Sequence, residues 1–128
     1  MIIYSTAVKT ARMNATRNYF ANGSLELLSA GDVVLAIFGL EADGGDIAGA
    51  VWTPVYDSAT VAGLEAAGPG TVAAKARFKT SGGTVGLSGL TVGGSGSEAD
   101  IELVNTSISE GQDVTLTTST ITHAPDPS

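Results

Sequence analysis

Residues 71–79 read Thr-Val-Ala-Ala-Lys-Ala-Arg-Phe-Lys. Side chains of an extended chain point alternately to two faces. The stretch therefore sets Ala74, Ala76 and Phe78 on one side and Lys75, Arg77 and Lys79 on the other. A helix would need its apolar groups every three or four residues, and this run does not supply them. It reads as a strand with one face buried, followed by a turn at Ser81-Gly82-Gly83 and a second extended run over residues 84–92.

The same grammar continues toward the C-terminus. Residues 93–97, Gly-Gly-Ser-Gly-Ser, form a loop, and residues 100–104 form a strand. Glu110-Gly111 turns into a last strand over residues 113–122. Val114 and Leu116 share one face of it while Ile121 falls on the other, which predicts a bulge or a change of sheet. Upstream, Leu25 and Leu27 flank Glu26, Ala30-Gly31-Asp32 is a turn, and residues 33–40 are a longer apolar run, so this pair reads as a hairpin. Residues 42–49 read as a Gly/Asp loop, and residues 50–56 as a strand that Pro54 confines to an edge or a bulge. Residues 66–70, Ala-Ala-Gly-Pro-Gly, break the chain again.

One helix is expected, over residues 5–20. Val8, Ala11, Ala15 and Tyr19 recur at helical spacing, Ser5 or Thr6 can cap the start, and Asn22-Gly23 can end it through a left-handed residue. The apolar stripe is narrow, which suits a helix lying on a surface or against a partner. The fold class is thus mainly β, an antiparallel sandwich or small barrel of about six to eight strands with one short N-terminal helix. Residues 1–124 form one domain including the helical arm, and residues 125–128 form an extended tail containing Pro125 and Pro127.

Composition narrows the function. Charged residues make up 15% of the chain, against roughly 25% in an average soluble domain. A weakly charged polar surface costs little to cover, which favours a protein packed against others. The net charge of −7 argues against a general nucleic-acid binder. With no cysteine there is neither a disulfide framework nor a thiolate metal site. No stretch approaches a membrane span, and no export signal is visible, since the apolar Met1-Ile2-Ile3-Tyr4 precedes the first charges.

No catalytic, cofactor or metal site is expected. His123 is the only histidine and stands beside the Pro-containing tail, a poor place for a catalytic base. Asp100 and Glu102 share a strand face, but the spacing of a calcium loop is missing, and a solvated face is the better reading. The glycine-rich loop lacks the Lys-Ser/Thr of a phosphate loop. The residues expected at a partner interface are the apolar Ile2, Ile3 and Tyr4, the basic Lys9, Arg12 and Arg17, the aromatic pair Trp52 and Tyr56, and the strand bases Lys75, Arg77 and Lys79. Acids lie elsewhere on the chain, so copies can also meet head to tail.

Two runs carry a resemblance. The N-terminal run, TAVKTARMNATRNYFANGSLELLSAGDVVLAIFGL, has a short helix, a Gly-Ser-Leu-Glu-Leu strand and a second apolar strand. The C-terminal run, from GTVAAKARFKTSGGTV to ISEGQDVTLTTSTITHA, has Gly-Thr-Val strands, an Ala-Asp-Ile strand and Ser109-Glu110-Gly111-Gln112 before a Thr-rich strand. Together they resemble small structural proteins of tailed-bacteriophage and prophage particles. The resemblance implies a virion part assembled in the host cytoplasm, first of all a capsid decoration (cement) protein. Its implied partners are the major capsid protein and copies of itself, with a trimer favoured and neither nucleic acid nor membrane involved. It transfers no catalytic residues. The alternatives are a tail, head–tail junction or baseplate component, or a carbohydrate-binding β-sandwich with Trp52 and Tyr56 as stacking residues.

Overall fold

A computed structural model describes residues 5–122 apart from residues 50, 59 and 98. Ile2, Ile3, Tyr4, His123 and the tail over 125–128 lie outside the described residues.

Among the described residues the chain is mainly β with one helix. Helix α1 spans Thr6–Phe20, and the Ser5 side chain caps it by accepting from the Val8 N–H at 3.2 Å. The helix ends where Ala21 turns extended (φ −53°, ψ 135°), and Asn22 takes the left-handed backbone of the turn that follows (φ 63°). The strands are β1 Ser24–Leu28, β2 Val34–Gly39, β3 Asp46–Ala48, β4 Val51–Thr53, β5 Thr60–Ala62, β6 Thr71–Val72, β7 Lys75–Lys79, β8 Val85–Gly94, β9 Ile101–Leu103, β10 Ser107–Ile108, β11 Asp113–Ser119 and β12 Ile121–Thr122. Seven of them form one sheet in the order β2-β1-β7-β8-β9-β11-β5.

That sheet rolls up until its ends nearly meet, giving a barrel-like shape. Leu64, just after β5, donates its N–H to the Leu35 carbonyl of β2 at 2.8 Å. Residues 55–57 pair along the continuation of β2: Glu41 donates to Val55 and Asp57 to Gly39. Both contacts cover an edge that would otherwise offer unpaired backbone groups. A two-stranded β6–β10 sheet and a three-stranded β12-β4-β3 sheet complete the structure.

The pattern that decided the fold holds at its centre. Across β1 and β7, Leu25 faces Phe78 and Leu27 faces Ala76, all buried. Glu26 and Arg77 face each other on the other side of the sheet. Pairing a large side chain with a small one lets the layer fill without overlap. The extended run over 71–79 is not one strand, however. Residues 71–72 pair with β10, the chain steps at Ala73-Ala74, and only then does β7 begin. The step shifts the alternation, so Ala73 is buried and Ala74 exposed, the reverse of the expected faces.

Other differences have local causes. The Gly/Asp loop over 42–49 contains β3, which forms a hairpin with β4 because Ile47 lies opposite Trp52. β5 and the 3-10 turn Glu65–Ala67 carry no regular alternation in the sequence, and they follow from barrel closure instead. β8 and β9 are parallel, an exception in an otherwise antiparallel sheet. The final run does change sheet: β11 pairs with β9, and after Thr120 β12 pairs with Trp52 and Val51 of β4.

The helix forms where the sequence places it, and its narrow apolar stripe lies on the surface. Met13 and Phe20 are the buried helical residues, while Ala11 and Ala15 are exposed, Val8 is 41% exposed and Tyr19 59%. One large aromatic, Phe20, packed against both Trp52 and Phe78, holds the helix more firmly than a stripe of alanines could.

Candidate interaction surface

α1 packs along the β3–β4 hairpin, and its C-terminal Phe20 reaches the end of the barrel where β1 begins and β7 ends. Gly23 sits against the Lys79 carbonyl there, closer than any side chain allows. Phe20 enters this end with its ring stacked on Trp52 (centroids 5.9 Å apart, planes at 11°) and tilted on Phe78 at 5.7 Å. Trp52 and Phe78 touch each other at 5.1 Å. The indole N–H of Trp52 donates to the Gly44 carbonyl at 2.9 Å, which satisfies its one polar atom in the core.

Trp52 is fully buried, so it cannot be an interface anchor or a sugar-stacking platform; it is the centre of the aromatic core. Its expected partner Tyr56 is half-buried, packs edge-on against Phe38 at 5.9 Å and donates its hydroxyl to Ser119 at 3.1 Å. Burial raises the Tyr56 phenol well above its ordinary range, and the bond to Ser119 offsets only part of that. Trp52 and Tyr56 therefore do not form a shared exposed surface.

The strand bases are engaged within the chain. Glu26 is only 5% exposed; its carboxylate takes the Arg77 guanidinium at 2.6 Å on one oxygen and the Lys79 ammonium at 3.2 Å on the other. Lys75 pairs with Asp32 at 2.6 Å, and that contact holds the exposed Asp32 carboxyl below its usual value. Lys75, Arg77 and Lys79, expected at a partner interface, are thus each paired within the chain, three cations set against two carboxylates of the β1–β2 hairpin. Arg17 likewise lies along the turn at 44–45, its guanidinium donating to the Gly45 carbonyl at 3.5 Å. Lys9 is half-exposed and Arg12 exposed on the same helix.

Asp100 and Glu102 are not merely solvated. Asp100 accepts from the Thr91 N–H at 3.0 Å and the Thr91 hydroxyl at 3.1 Å, and Glu102 accepts from the Gly96 N–H at 3.0 Å. They brace the loop that joins parallel β8 and β9. Among the described residues no group of three or more His, Cys, Asp or Glu is placed to hold a metal ion, and no helix is long and apolar enough to cross a membrane.

An open apolar surface remains. The exposed stripe Val8, Ala11, Ala15 and Tyr19 runs along α1 and ends at a groove of about 460 Å³. The groove is lined by Ala15, Thr16, Tyr19, Phe20, Gly86 and Leu87. Gly86 makes it possible, since a side chain there would run into the Phe20 and Tyr19 rings at 2.8–2.9 Å. Val85, 42% exposed, extends the apolar band along β8.

Sequence reasoning singled out the stripe but missed Glu26 and Gly86. Glu26 was legible as an acid between two leucines, and only the register with β7 shows that it anchors two bases. In class, then, this is a small barrel-like β domain with a helix packed on its β3–β4 hairpin and an apolar helix–strand groove. Compared with known proteins, the chain matches no family model, no curated protein and no solved structure.

Proposed function

We propose that this chain is a non-catalytic structural protein of a bacteriophage particle, a decoration protein that binds the outer face of the head together with copies of itself. The observation that carries the reading is the uncovered stripe of α1. The helix buries Met13 and Phe20 against the domain, yet it turns Val8, Ala11, Ala15 and Tyr19 outward beside an apolar groove. Contiguous exposed apolar surface of this kind marks a contact site. The sparse surface charge lowers the cost of covering the rest, and the resemblance of the two terminal runs to phage structural proteins supplies the setting.

A structural role also fits the disposition of the polar groups. Glu26, Asp32, Asp100 and Tyr56 are each tied to a neighbour within the domain, where they hold strands and loops in place. Binding then needs no rearrangement of the barrel, and the surface it uses is pre-formed.

The test is the number of copies on purified particles from a host carrying this gene, read by quantitative mass spectrometry. Hundreds of copies per particle support head decoration. Roughly six or twelve copies place the chain on the tail axis instead, by the symmetry of that axis. Particles that lack the chain altogether overturn the reading.

A further inference from the structure

We infer that the pocket between residues 53–56 and the end of β11 binds one neutral sugar ring. This site shares no residue with the α1–β8 groove and does not depend on the proposed function.

The pocket arises where two ladders fail to join. β5 pairs with β11 at Thr60 and Thr115, and β4 pairs with β12 at Trp52 and Ile121. Between these two rungs the β4–β5 side is two residues longer than the β11–β12 side, so the chains part. A register shift between Leu116 and Thr118 also leaves Thr117 without a partner on β9, a bulge of the kind found beside binding sites. The resulting pocket has a volume of about 400 Å³. That is near the lower end of the ~300–1,000 Å³ of ligand sites, which fits one ring rather than a chain of them.

Its buried polar groups call for a partner. Ser119 lines the pocket at 7% exposure, and its oxygen accepts the Tyr56 hydroxyl at 3.1 Å. The hydrogen of Ser119 itself then has no acceptor among the described residues, whereas buried hydroxyls are ordinarily satisfied. Tyr56 adds a donor and an acceptor from its backbone. Val55 gives its carbonyl to Glu41, and Asp57 its N–H to Gly39. Successive residues of an extended chain turn these groups to opposite sides, so those of Tyr56 face β11. No backbone group among the described residues bonds them.

The lining selects the ligand. No lining residue is charged and the chain carries a net charge of −7, so an anion would lose its water and gain no counter-charge. An extended peptide would need a row of free backbone groups, and two residues before Tyr56 stands Pro54, which has no N–H to give. A sugar meets both demands. Its hydroxyls each donate and accept, matching Ser119, the Tyr56 backbone and the exposed hydroxyls of Thr53, Thr117 and Thr120. Its C–H face fits the apolar Pro54, Val55 and Leu116. Tyr56 thus takes part without Trp52, which stays in the core.

The test follows backbone amide shifts by NMR in the isotope-labelled full chain while glucose, galactose or N-acetylglucosamine is added singly. At least one of the three should move the amides of Tyr56, Thr117 and Ser119 to saturation. Its dissociation constant should be millimolar, the range open to a ligand of about a dozen non-hydrogen atoms. Gly86 and Leu87, in the other groove, should not move. Thr117→Val, an exposed and nearly isosteric change, should weaken binding roughly three- to tenfold, the worth of one hydrogen bond. Tyr56→Phe should do the same, and Thr16→Val in the other groove should leave binding unchanged. Absence of a saturable shift with all three sugars overturns the inference, since solvent alone then satisfies Ser119. Glucuronate binding as tightly as glucose overturns it too, as does an unchanged affinity in both Thr117→Val and Tyr56→Phe. A blocked alanine dipeptide that moves the same amides at a lower concentration than any sugar overturns it in favour of a peptide.

Discussion

Replacing Phe20 by alanine removes the ring that joins α1 to the barrel. Phe20 is 3% exposed and contacts Trp52 at 5.9 Å, Phe78 at 5.7 Å and Tyr19 at 5.2 Å between centroids. Truncating a buried phenylalanine typically costs about 3–5 kcal/mol, and a site that cannot collapse lies near the upper end. This one cannot readily collapse, because Trp52 is pinned by its bond to Gly44 and Phe78 by the β1–β7 register. The expected loss is about 4 kcal/mol, a large part of the ~5–15 kcal/mol available to a domain. For a chain between the usual size classes that lowers the melting midpoint by roughly 12–20 °C. Trp52 is the only tryptophan, so urea unfolding followed by its fluorescence reports the site itself. Tyr19→Ala is the companion variant: its side chain is 59% exposed, and its loss should cost less than about 1 kcal/mol. If Phe20→Ala costs no more than Tyr19→Ala, the helix is not seated as described and the outward stripe loses its basis.

Glu26→Ala should cost about 2–3 kcal/mol in urea unfolding, less than a wholly buried pair, because Arg77 and Lys79 reach water and can rehydrate. Lys75→Ala, which breaks only the exposed pair with Asp32, should leave the midpoint unchanged within error. Gly23→Ala drives a methyl into the Lys79 carbonyl and should cost about 2–3 kcal/mol; a neutral result would contradict the close approach of the helix end to β7. Tyr56 has its pKa raised on folding, so its contribution is complete below the ordinary tyrosine value near 10 and is lost as pH climbs beyond it. Stability should fall above about pH 10 in the wild type and fall less steeply in Tyr56→Phe, as read from midpoints across an alkaline series.

Strand periodicity made the middle of the barrel legible. Leu25, Leu27, Ala76 and Phe78 all lie where a period of two puts them. Turn residues with unusual backbone were also readable, as at Asn22 and Asp32, both left-handed. What escaped the sequence was long-range pairing. β3 and β5 are three-residue strands whose partners, not their own pattern, make them extended. The bases at Lys75, Arg77 and Lys79 looked available because their counter-ions, Glu26 and Asp32, are more than 40 residues away in the chain. Trp52 looked like an anchor because a lone tryptophan carries no mark of burial; its indole bond to Gly44 appears only with the fold. The helix stripe was legible as a sequence feature, whereas the burial of Met13 and Phe20, which lie off it, appears only with the fold.

The proposed function is tested most directly by titrating the purified chain onto bare shells of the major capsid protein encoded in the same genome. Bound chain is measured by sedimentation, and shell dissociation by a thermal ramp. A decoration protein predicts saturation at a fixed ratio to the shell subunit and a raised dissociation temperature, since a ligand of the assembled state stabilises it. The variant Ala15→Glu, which sets a charge in the exposed stripe, should weaken binding while leaving the fold intact. Shells that sediment without the wild-type chain, and dissociate at an unchanged temperature in its presence, would contradict the account.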